Sequence, residues 1–224
     1  SVGGKTGVNP PRGKNMIGSF HQPRLVYSSI AALGTLPVRE LRCGLAETVK
    51  HAIIRDGKFF DWLEANIQSI HQLESDAMLH LVQRNCEIKA AVVAADEREA
   101  RLRGILNLGH TTGHALEIVY SARGMLHGEA VSLGIIAAAR LAERRGMIPP
   151  EDSERIGGLL SAFGLPVRME EKLETDAVMD AIRNDKKVTG GKLKYVLPTQ
   201  IGDCCFVDDL TSDEIREAVE SLMT

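Results

Sequence analysis

Residues 106–117, with the sequence LNLGHTTGHALE, constrain the fold of this chain more than any other stretch. Their apolar residues have helical spacing, and His110 and His114 are four positions apart, so both imidazoles project from one helix face with Cβ atoms about 6 Å apart. His127 stands where the next apolar helix, residues 130–144, should begin, and a chain reversal would return it to the first pair. The pattern indicates a metal site built on packed helices.

The same histidine pair fits a second interpretation. Two histidines on a half-apolar helix can equally be hydrogen-bonded structural residues. Gly109 and Gly113 favour a functional site, because each costs about 1 kcal/mol of helix stability relative to alanine. That cost is easier to understand where the backbone or a ligand must approach closely. Spacing alone would make both His110 and His114 metal ligands.

Composition favours closely packed helices. The chain has 224 residues, of which 44% are hydrophobic, 25% charged and only 4% aromatic. A core of Ala, Leu, Ile and Val suits helix packing better than a β-sandwich. We therefore predict a mainly α, multi-helical metal-binding domain with a small β-hairpin, and the length allows one or two domains.

The charge and the cysteine content limit which binding partners and which cellular compartment we expect. The formal net charge of −3 gives no overall electrostatic reason to bind nucleic acid or an acidic membrane, and no apolar run reaches the ~18 residues of a membrane span. We expect neither as a partner. The four cysteines have no CxxC spacing, which favours free thiols and a cytoplasmic protein.

The first thirty residues favour short strands and turns. Met16–Phe20 and Leu25–Ser28 are predicted as two strands, whose natural place is the edge of a sheet contributed by upstream residues. Gly4-Lys5-Thr6 is not interpreted as a Walker loop. That motif needs a glycine five positions before Gly4, and the given sequence does not extend that far. What remains is a glycine-rich turn with one lysine, suited to contact a phosphate.

Helical periodicity and capping residues dominate the rest of the chain. Glu47 lies on the first of these helices at the border of the buried face, although an exposed Glu47–Lys50 pair is the alternative. Lys89 stands in an apolar helical setting, where a lysine normally extends to solvent. Besides the two histidine-bearing helices, we predict helices at 38–55, 59–67, 75–95, 150–163, 175–184 and 212–223, with a hairpin of 193–197 and 205–207.

Six motifs, in order along the whole chain, resemble the 3-dehydroquinate synthase family. They are SVGGKT (1–6), KNMIGSF (14–20), GLAE (44–47) with Lys50, residues 107–114, LHGE (126–129) and DKK (185–187). The resemblance implies that residues 1–30 are strands left from an α/β nucleotide-binding domain together with a substrate-binding loop, and that 31–224 form the helical zinc and substrate domain. It also implies that this chain is inactive without the upstream domain, which supplies most of the NAD site.

The resemblance assigns roles residue by residue. It makes Glu47, His110 and His127 the zinc ligands, with Co²⁺ as an alternative metal, and places His114 beside the metal as a proton-handling residue. The implied catalytic residues are His114, Lys50, Arg103, Asn107 and Glu99. The implied substrate contacts are Lys5, Lys14, Asn15, Lys89, Arg103, Lys186 and Lys187, and the implied NAD contacts are Thr35, Glu40 and Lys5.

The resemblance further implies a reaction and an assembly. A small sugar-acid phosphate, 3-deoxy-D-arabino-heptulosonate 7-phosphate, would lose phosphate and close to 3-dehydroquinate, with NAD oxidising and re-reducing the substrate and zinc polarising two adjacent oxygens. The full-length protein is expected to be a homodimer. Two alternatives stay open: a sibling sugar-phosphate cyclase with another substrate, and a non-catalytic zinc-binding helical module. Arg103 and the DKK run favour a carboxylate-bearing substrate.

Overall fold

The computed structural model describes residues 2–8, 17–97, 102–170, 172–188 and 193–223, with the backbone alone at 185–188. The prediction of a mainly α fold is confirmed. The helices are α1 (Val38–Arg55), α2 (Gly57–Ala65), α3 (Ile67–His71), α4 (Ser75–Ala95), α5 (His110–Tyr120), α6 (His127–Arg144), α7 (Pro150–Ala162), α8 (Thr175–Val188) and α9 (Ser212–Glu220). The strands are β1 (Lys5–Val8), β2 (Ile17–Phe20), β3 (Tyr195–Gln200) and β4 (Asp203–Val207).

Helix α6 lies at the centre of the fold. It packs against α1, α5, α7, α9 and β3. Its buried residues run almost without a break from Gly128 to Ala142. A helix that is apolar all round belongs in a core, and its many alanines let neighbouring helices come close. None of the helices in the described ranges has the length and apolarity needed to cross a membrane.

Glycines set the shortest distances between α6 and its neighbours. A Cβ atom on Gly134 would lie 1.9 Å from the carbonyl oxygen of Gly109, and one on Gly128 would lie 2.3 Å from Cα of Cys43. Gly113 faces the α6 backbone in the same way, and Gly109 also has a positive φ of 75°. The glycines near the histidines therefore permit close backbone approach, which is one of the two reasons that the sequence suggested for them.

The N-terminal hairpin differs from the prediction. β1 pairs antiparallel with β2, with Lys5 opposite Phe20 and Val8 opposite Ile17. The predicted strand at Leu25–Ser28 is wrong, since these residues form no strand and no described strand lies beside them. β1 was missed because its sequence, KTGV, has no alternation of apolar and polar residues.

Most other elements match the prediction, with shifted boundaries. The bounds of α1 and α4 are those predicted, whereas the predicted helix at 59–67 is two helices that meet at Asn66. β3 pairs antiparallel with β4, which confirms the C-terminal hairpin. A capping box begins α9, with paired hydrogen bonds between Thr211 and Glu214. α8 continues to Val188, so the DKK run lies within the helix and not after it.

Candidate metal centre

Side chains from α1, α5 and α6 converge at one point. Glu47 comes from the middle of α1, while His110 and His127 are the first residues of α5 and α6. Glu47 Oε1 lies 3.6 Å from His110 Nε2 and 3.7 Å from His127 Nε2. The structure thus brings together the three residues that we predict as metal ligands, and their role as ligands stays a prediction.

The geometry of this cluster fits a metal ion. Glu47 Oε1 is buried and has no hydrogen-bond partner among the described residues. A buried oxygen left in this state costs about 1–3 kcal/mol. Tetrahedral zinc with bonds of about 2.0–2.1 Å holds its ligand atoms about 3.4 Å apart, close to the distances observed. An ion bound to the two Nε2 atoms would also satisfy the carboxylate oxygen.

His110 is oriented by the backbone. Its Nδ1 lies 3.1 Å from the carbonyl oxygen of Leu108, which can only accept a hydrogen bond, so Nδ1 carries the proton. Nε2 then presents its lone pair toward Glu47. Burial, followed by the charge of Lys50, lowers the pKa of His110 to about 3. The imidazole is therefore neutral at neutral pH, as a metal ligand must be.

His127 is oriented by a carboxylate. Its Nδ1 lies 2.9 Å from Oε2 of Glu117, a residue of α5 that follows His114 by three positions. The carboxylate of Glu47, and after it that of Glu117, raises the pKa of His127 against the opposing effect of burial. We did not identify Glu117 from the sequence. The available signal was its position seven residues after His110, on the same helix face.

Glu47 is paired with a buried lysine. Lys50 Nζ donates to Glu47 Oε2 at 2.5 Å, and only 3% of Lys50 is exposed. The alternative of an exposed Glu47–Lys50 pair is therefore wrong. Burial acts to raise the pKa of Glu47, but Lys50, His127 and His110 together hold it well below its ordinary value. Burial lowers the pKa of Lys50 in turn, with Glu47 opposing. Glu47 is ionised and available to a cation.

His114 lies beside the cluster on the exposed side of α5. Its ring centroid is 5.1 Å from that of His110 and 5.8 Å from that of His127. His114, Glu117 and His127 also place one donor atom each within 4.8 Å of one another. We favour the Glu47 set, because Glu47 Oε1 is buried without a partner whereas Glu117 already binds Nδ1 of His127.

Lys89 and Asn107 lie near this centre. Lys89, half-buried on α4, is close enough for its charge to lower the pKa of Lys50. Asn107 is exposed at the end of the 3-10 helix Leu102–Asn107, three residues before His110. Both positions are compatible with contacts to a substrate at the metal.

Arg103 is buried in contacts with the protein itself. Its Nη2 donates to the carbonyl oxygen of Gly3 at 2.8 Å and its Nη1 to that of Glu97 at 2.7 Å. The guanidinium carbon lies 5.9 Å from the ring centroid of Phe20. Arg103 thus joins the N-terminal segment to the helical part of the chain, and its contact with a substrate stays a prediction.

The remaining predicted residues are dispersed. Lys5 is exposed on β1, and Thr35 ends the 3-10 helix Ile30–Thr35, where its hydroxyl donates to Ala32 O at 2.8 Å. Glu40, in the first turn of α1, lines an otherwise mainly apolar pocket of about 230 Å³. Outside the described residues lie Lys14, Asn15, Glu99 and the side chains of Lys186 and Lys187.

Two family models match the chain. The model described as 3-dehydroquinate synthase C-terminal matches residues 44–188, and the one described as 3-dehydroquinate synthase N-terminal matches residues 1–43. The domain boundary that we predict after residue 30 stays a prediction.

Curated 3-dehydroquinate synthases resemble most of the chain. The protein of Pseudoalteromonas translucida (strain TAC 125) is 44% identical over 98% of this chain and 62% of its own length. That of Aliivibrio fischeri (strain MJ11) is 46% identical over 98% and 61%. The chain therefore spans about three fifths of the length of these relatives.

Solved structures share the fold and were determined with cofactors. A 2-epi-5-epi-valiolone synthase from Streptomyces hygroscopicus subsp. jinggangensis, with NAD⁺ and Zn²⁺ bound, aligns with a TM-score of 0.88 and 31% identity over 99% of this chain and 61% of its own. A 2-deoxy-scyllo-inosose synthase complexed with carbaglucose-6-phosphate, NAD⁺ and Co²⁺ aligns with a TM-score of 0.80 and 27% identity over 98% and 62%.

Proposed function

This chain belongs to the 3-dehydroquinate synthase family, and we propose that it forms the metal- and substrate-binding part of an enzyme that converts 3-deoxy-D-arabino-heptulosonate 7-phosphate to 3-dehydroquinate and phosphate. The observation that carries this proposal is Glu47 Oε1, buried without a partner between the Nε2 atoms of His110 and His127. A carboxylate and two neutral imidazoles leave a tetrahedral metal one open position for a substrate or water.

Glu47, His110 and His127 would hold Zn²⁺, or Co²⁺ in its place. When bound, the metal supplies Lewis-acid polarisation of substrate oxygens and NAD supplies a reversible hydride acceptor. The two solved neighbours bind NAD⁺ with Zn²⁺ or Co²⁺, which supports this pair of cofactors. We propose Lys5, Thr35 and Glu40 as this chain's contribution to an NAD site that lies mainly in the upstream domain.

The charges around the centre suit an anionic substrate. Lys50 is buried beside Glu47, and Lys89 is near enough to lower its pKa. A sugar-acid phosphate carries about three negative charges and needs several such donors at once. His114 and Asn107 are exposed near the metal ligands, so they can reach a bound substrate; we propose that His114 moves a proton there.

Arg103 fits the proposal only with a change of partners. Both of its terminal nitrogens donate to backbone carbonyls, those of Gly3 and Glu97. Binding a substrate carboxylate in bidentate fashion would require at least one of these bonds to open. We propose that Lys14, Asn15, Lys186, Lys187 and Glu99 complete the substrate site around it.

The test measures phosphate release from the seven-carbon sugar-acid phosphate with added NAD and zinc. We would compare this chain with one extended to the length of its relatives, and expect turnover from the extended chain alone. In the extended chain, Glu47→Gln should abolish turnover and metal binding, since an amide is a poor zinc ligand. Glu154→Gln, an exposed change on α7, serves as the matched control. Full metal retention by Glu47→Gln would overturn the proposed site.

The second candidate function is that of a sugar-phosphate cyclase with another substrate. It is favoured by the two solved neighbours, which share this fold and are named as other synthases. Offering the extended protein a panel of sugar phosphates with and without a carboxylate separates the two functions. Turnover confined to substrates without a carboxylate would favour a sibling. Metal binding without turnover of any substrate would favour a non-catalytic module.

A further inference from the structure

We propose that Glu117 is a positioning residue, which holds the ring of His127 so that its Nε2 faces the metal. The inference rests on the proposed metal site formed by Glu47, His110 and His127, and it concerns a residue outside that set. It arises from a comparison of how the structure orients the two histidines.

The two imidazoles face the same carboxylate oxygen but are held differently. His110 donates from Nδ1 to the backbone carbonyl of Leu108, two residues earlier, so its own chain fixes the ring. His127 donates from Nδ1 to Glu117 Oε2 at 2.9 Å, ten residues away on α5. The orientation of His127 therefore depends on one side chain from another helix.

His127 needs this support more than His110 does. Its side chain is 45% exposed, against 15% for His110, so packing restricts the ring less. Glu117 is itself only 15% exposed, and a carboxylate held at that depth is a well-placed acceptor. A carboxylate hydrogen-bonded to Nδ1 fixes the tautomer and increases the basicity of Nε2.

This arrangement makes α5 responsible for two parts of the centre. The helix carries His110 at its first residue and Glu117 two turns later, so it supplies one ligand and orients another. A direct role of Glu117 as a ligand, together with His114 and His127, is the competing assignment. In that assignment Glu117 would bind the metal itself, whereas its carboxylate now accepts a hydrogen bond from His127 Nδ1.

The first experiment measures zinc affinity by chelator competition for wild type, Glu117→Ala, Glu117→Gln and the exposed control Glu154→Gln. Loss of a residue that orients a metal ligand typically weakens metal binding by about 10- to 100-fold, which we expect for Glu117→Ala. Glu117→Gln keeps an oxygen acceptor and should stay within a few-fold of wild type. Equal losses in both variants, or two metal ions per chain in wild type, would overturn the proposal.

The second experiment reads the tautomer directly, by histidine ¹⁵N NMR of the metal-free protein at a pH at which His127 is neutral. We expect wild-type His127 to carry its proton on Nδ1, Glu117→Ala to mix the tautomers, and His110 to stay unchanged in both. An unchanged His127 in Glu117→Ala would refute the positioning role. Failure of the metal site itself gives a different result, since Glu47→Gln would then retain zinc while the His127 tautomer still responded to Glu117.

Discussion

The metal-bearing helices and the N-terminal hairpin are stabilised in opposite ways. Most of α6 and about half of α1 and α5 are buried, and close backbone contacts fix these helices against one another. Every residue of β1 and β2 is exposed, and Ile17 and Val8 remain 65% and 61% accessible. Two strands alone are marginally stable. The metal ligands thus lie on the rigid part of the chain, and the hairpin depends on contacts such as those of Arg103.

The largest expected effect is a loss of folding stability in the helical region, caused by the substitution Gly134→Ala. The added Cβ would lie 1.9 Å from the carbonyl oxygen of Gly109, so α5 and α6 must move apart. Overpacking of this kind typically costs about 1–3 kcal/mol, and a backbone atom cannot yield as a side chain can. We expect a loss at or above that range in urea unfolding, together with weaker zinc binding.

Gly158→Ala is the matched control for that substitution. Gly158 lies within α7 and an added Cβ would meet no atom within 4 Å. Replacing glycine by alanine there should stabilise the protein by up to about 1 kcal/mol. Equal unfolding midpoints for the two variants would contradict the conclusion that stability depends on close backbone contact between α6 and the start of α5.

The second-largest expected effect is a dependence of folding stability on pH. It comes from His51, which makes a buried polar contact between α1 and α4. His51 Nδ1 lies 2.8 Å from Asn85 Oδ1, and burial, followed by the charge of Lys50, lowers the pKa of His51 to about 4. In the unfolded chain the pKa is about 6.5, so between these values the unfolded state binds a proton that the folded state does not. Stability should therefore fall as the pH drops from about 6.5 to 4, by up to about 3 kcal/mol.

The measurement is urea unfolding of wild type and His51→Gln across that pH range. Other groups titrate in both proteins, so the difference between the two curves isolates His51. We expect a flatter pH dependence in His51→Gln. Parallel curves would show that the pKa of His51 does not differ between the folded and unfolded states.

The smallest effect on global stability is expected at the hairpin, through Arg103→Met. The change keeps an apolar stem but leaves the carbonyl oxygens of Gly3 and Glu97 without their donors, each at a cost of about 1–3 kcal/mol if it stays buried. The hairpin can instead detach and expose them to water. Hydrogen exchange should then quicken in residues 2–8 and 17–28 while α5 and α6 keep their protection. Equal loss of protection in α6 would show that the two regions are one cooperative unit.

Local periodicity was enough for much of the fold. α1 and α4 have the predicted bounds because each has a long amphipathic pattern between clear end signals. The pairing of β1 with β2 could not be predicted, since KTGV has no strand pattern and the residues that pair with it lie 9 to 15 positions away. The exposed residues Leu25 and Tyr27 gave a strand-like pattern, but no strand of the described part of the chain lies beside them.

The candidate site, like the fold, could be predicted from the sequence only in part. The sequence pointed to His110, His114 and His127 through helical spacing and a chain reversal. The resemblance added Glu47 as a ligand and placed His114 beside the metal instead. Glu117 was missed because its role depends on a contact between helices, which one helix's periodicity does not report. Arg103 was expected at an anion, yet the structure shows it bound to two carbonyl oxygens. The sequence shows that an arginine carries a positive charge, but it does not show which hydrogen-bond acceptor the arginine binds.

Two of the proposed ligands, His110 and His127, are the first residues of their helices, so two helix N-termini point at one centre. Each N-terminus carries about half a positive charge from the aligned peptide dipoles. Together with the buried ammonium group of Lys50, they offset the charges of Glu47 and Glu117 before any cation arrives. Long-range attraction therefore contributes little to capturing a metal here, and affinity must come from the ligand bonds. If the proposed ion is bound, the local field is strongly positive, so added salt should slow the arrival of the proposed anionic substrate more than it weakens metal binding.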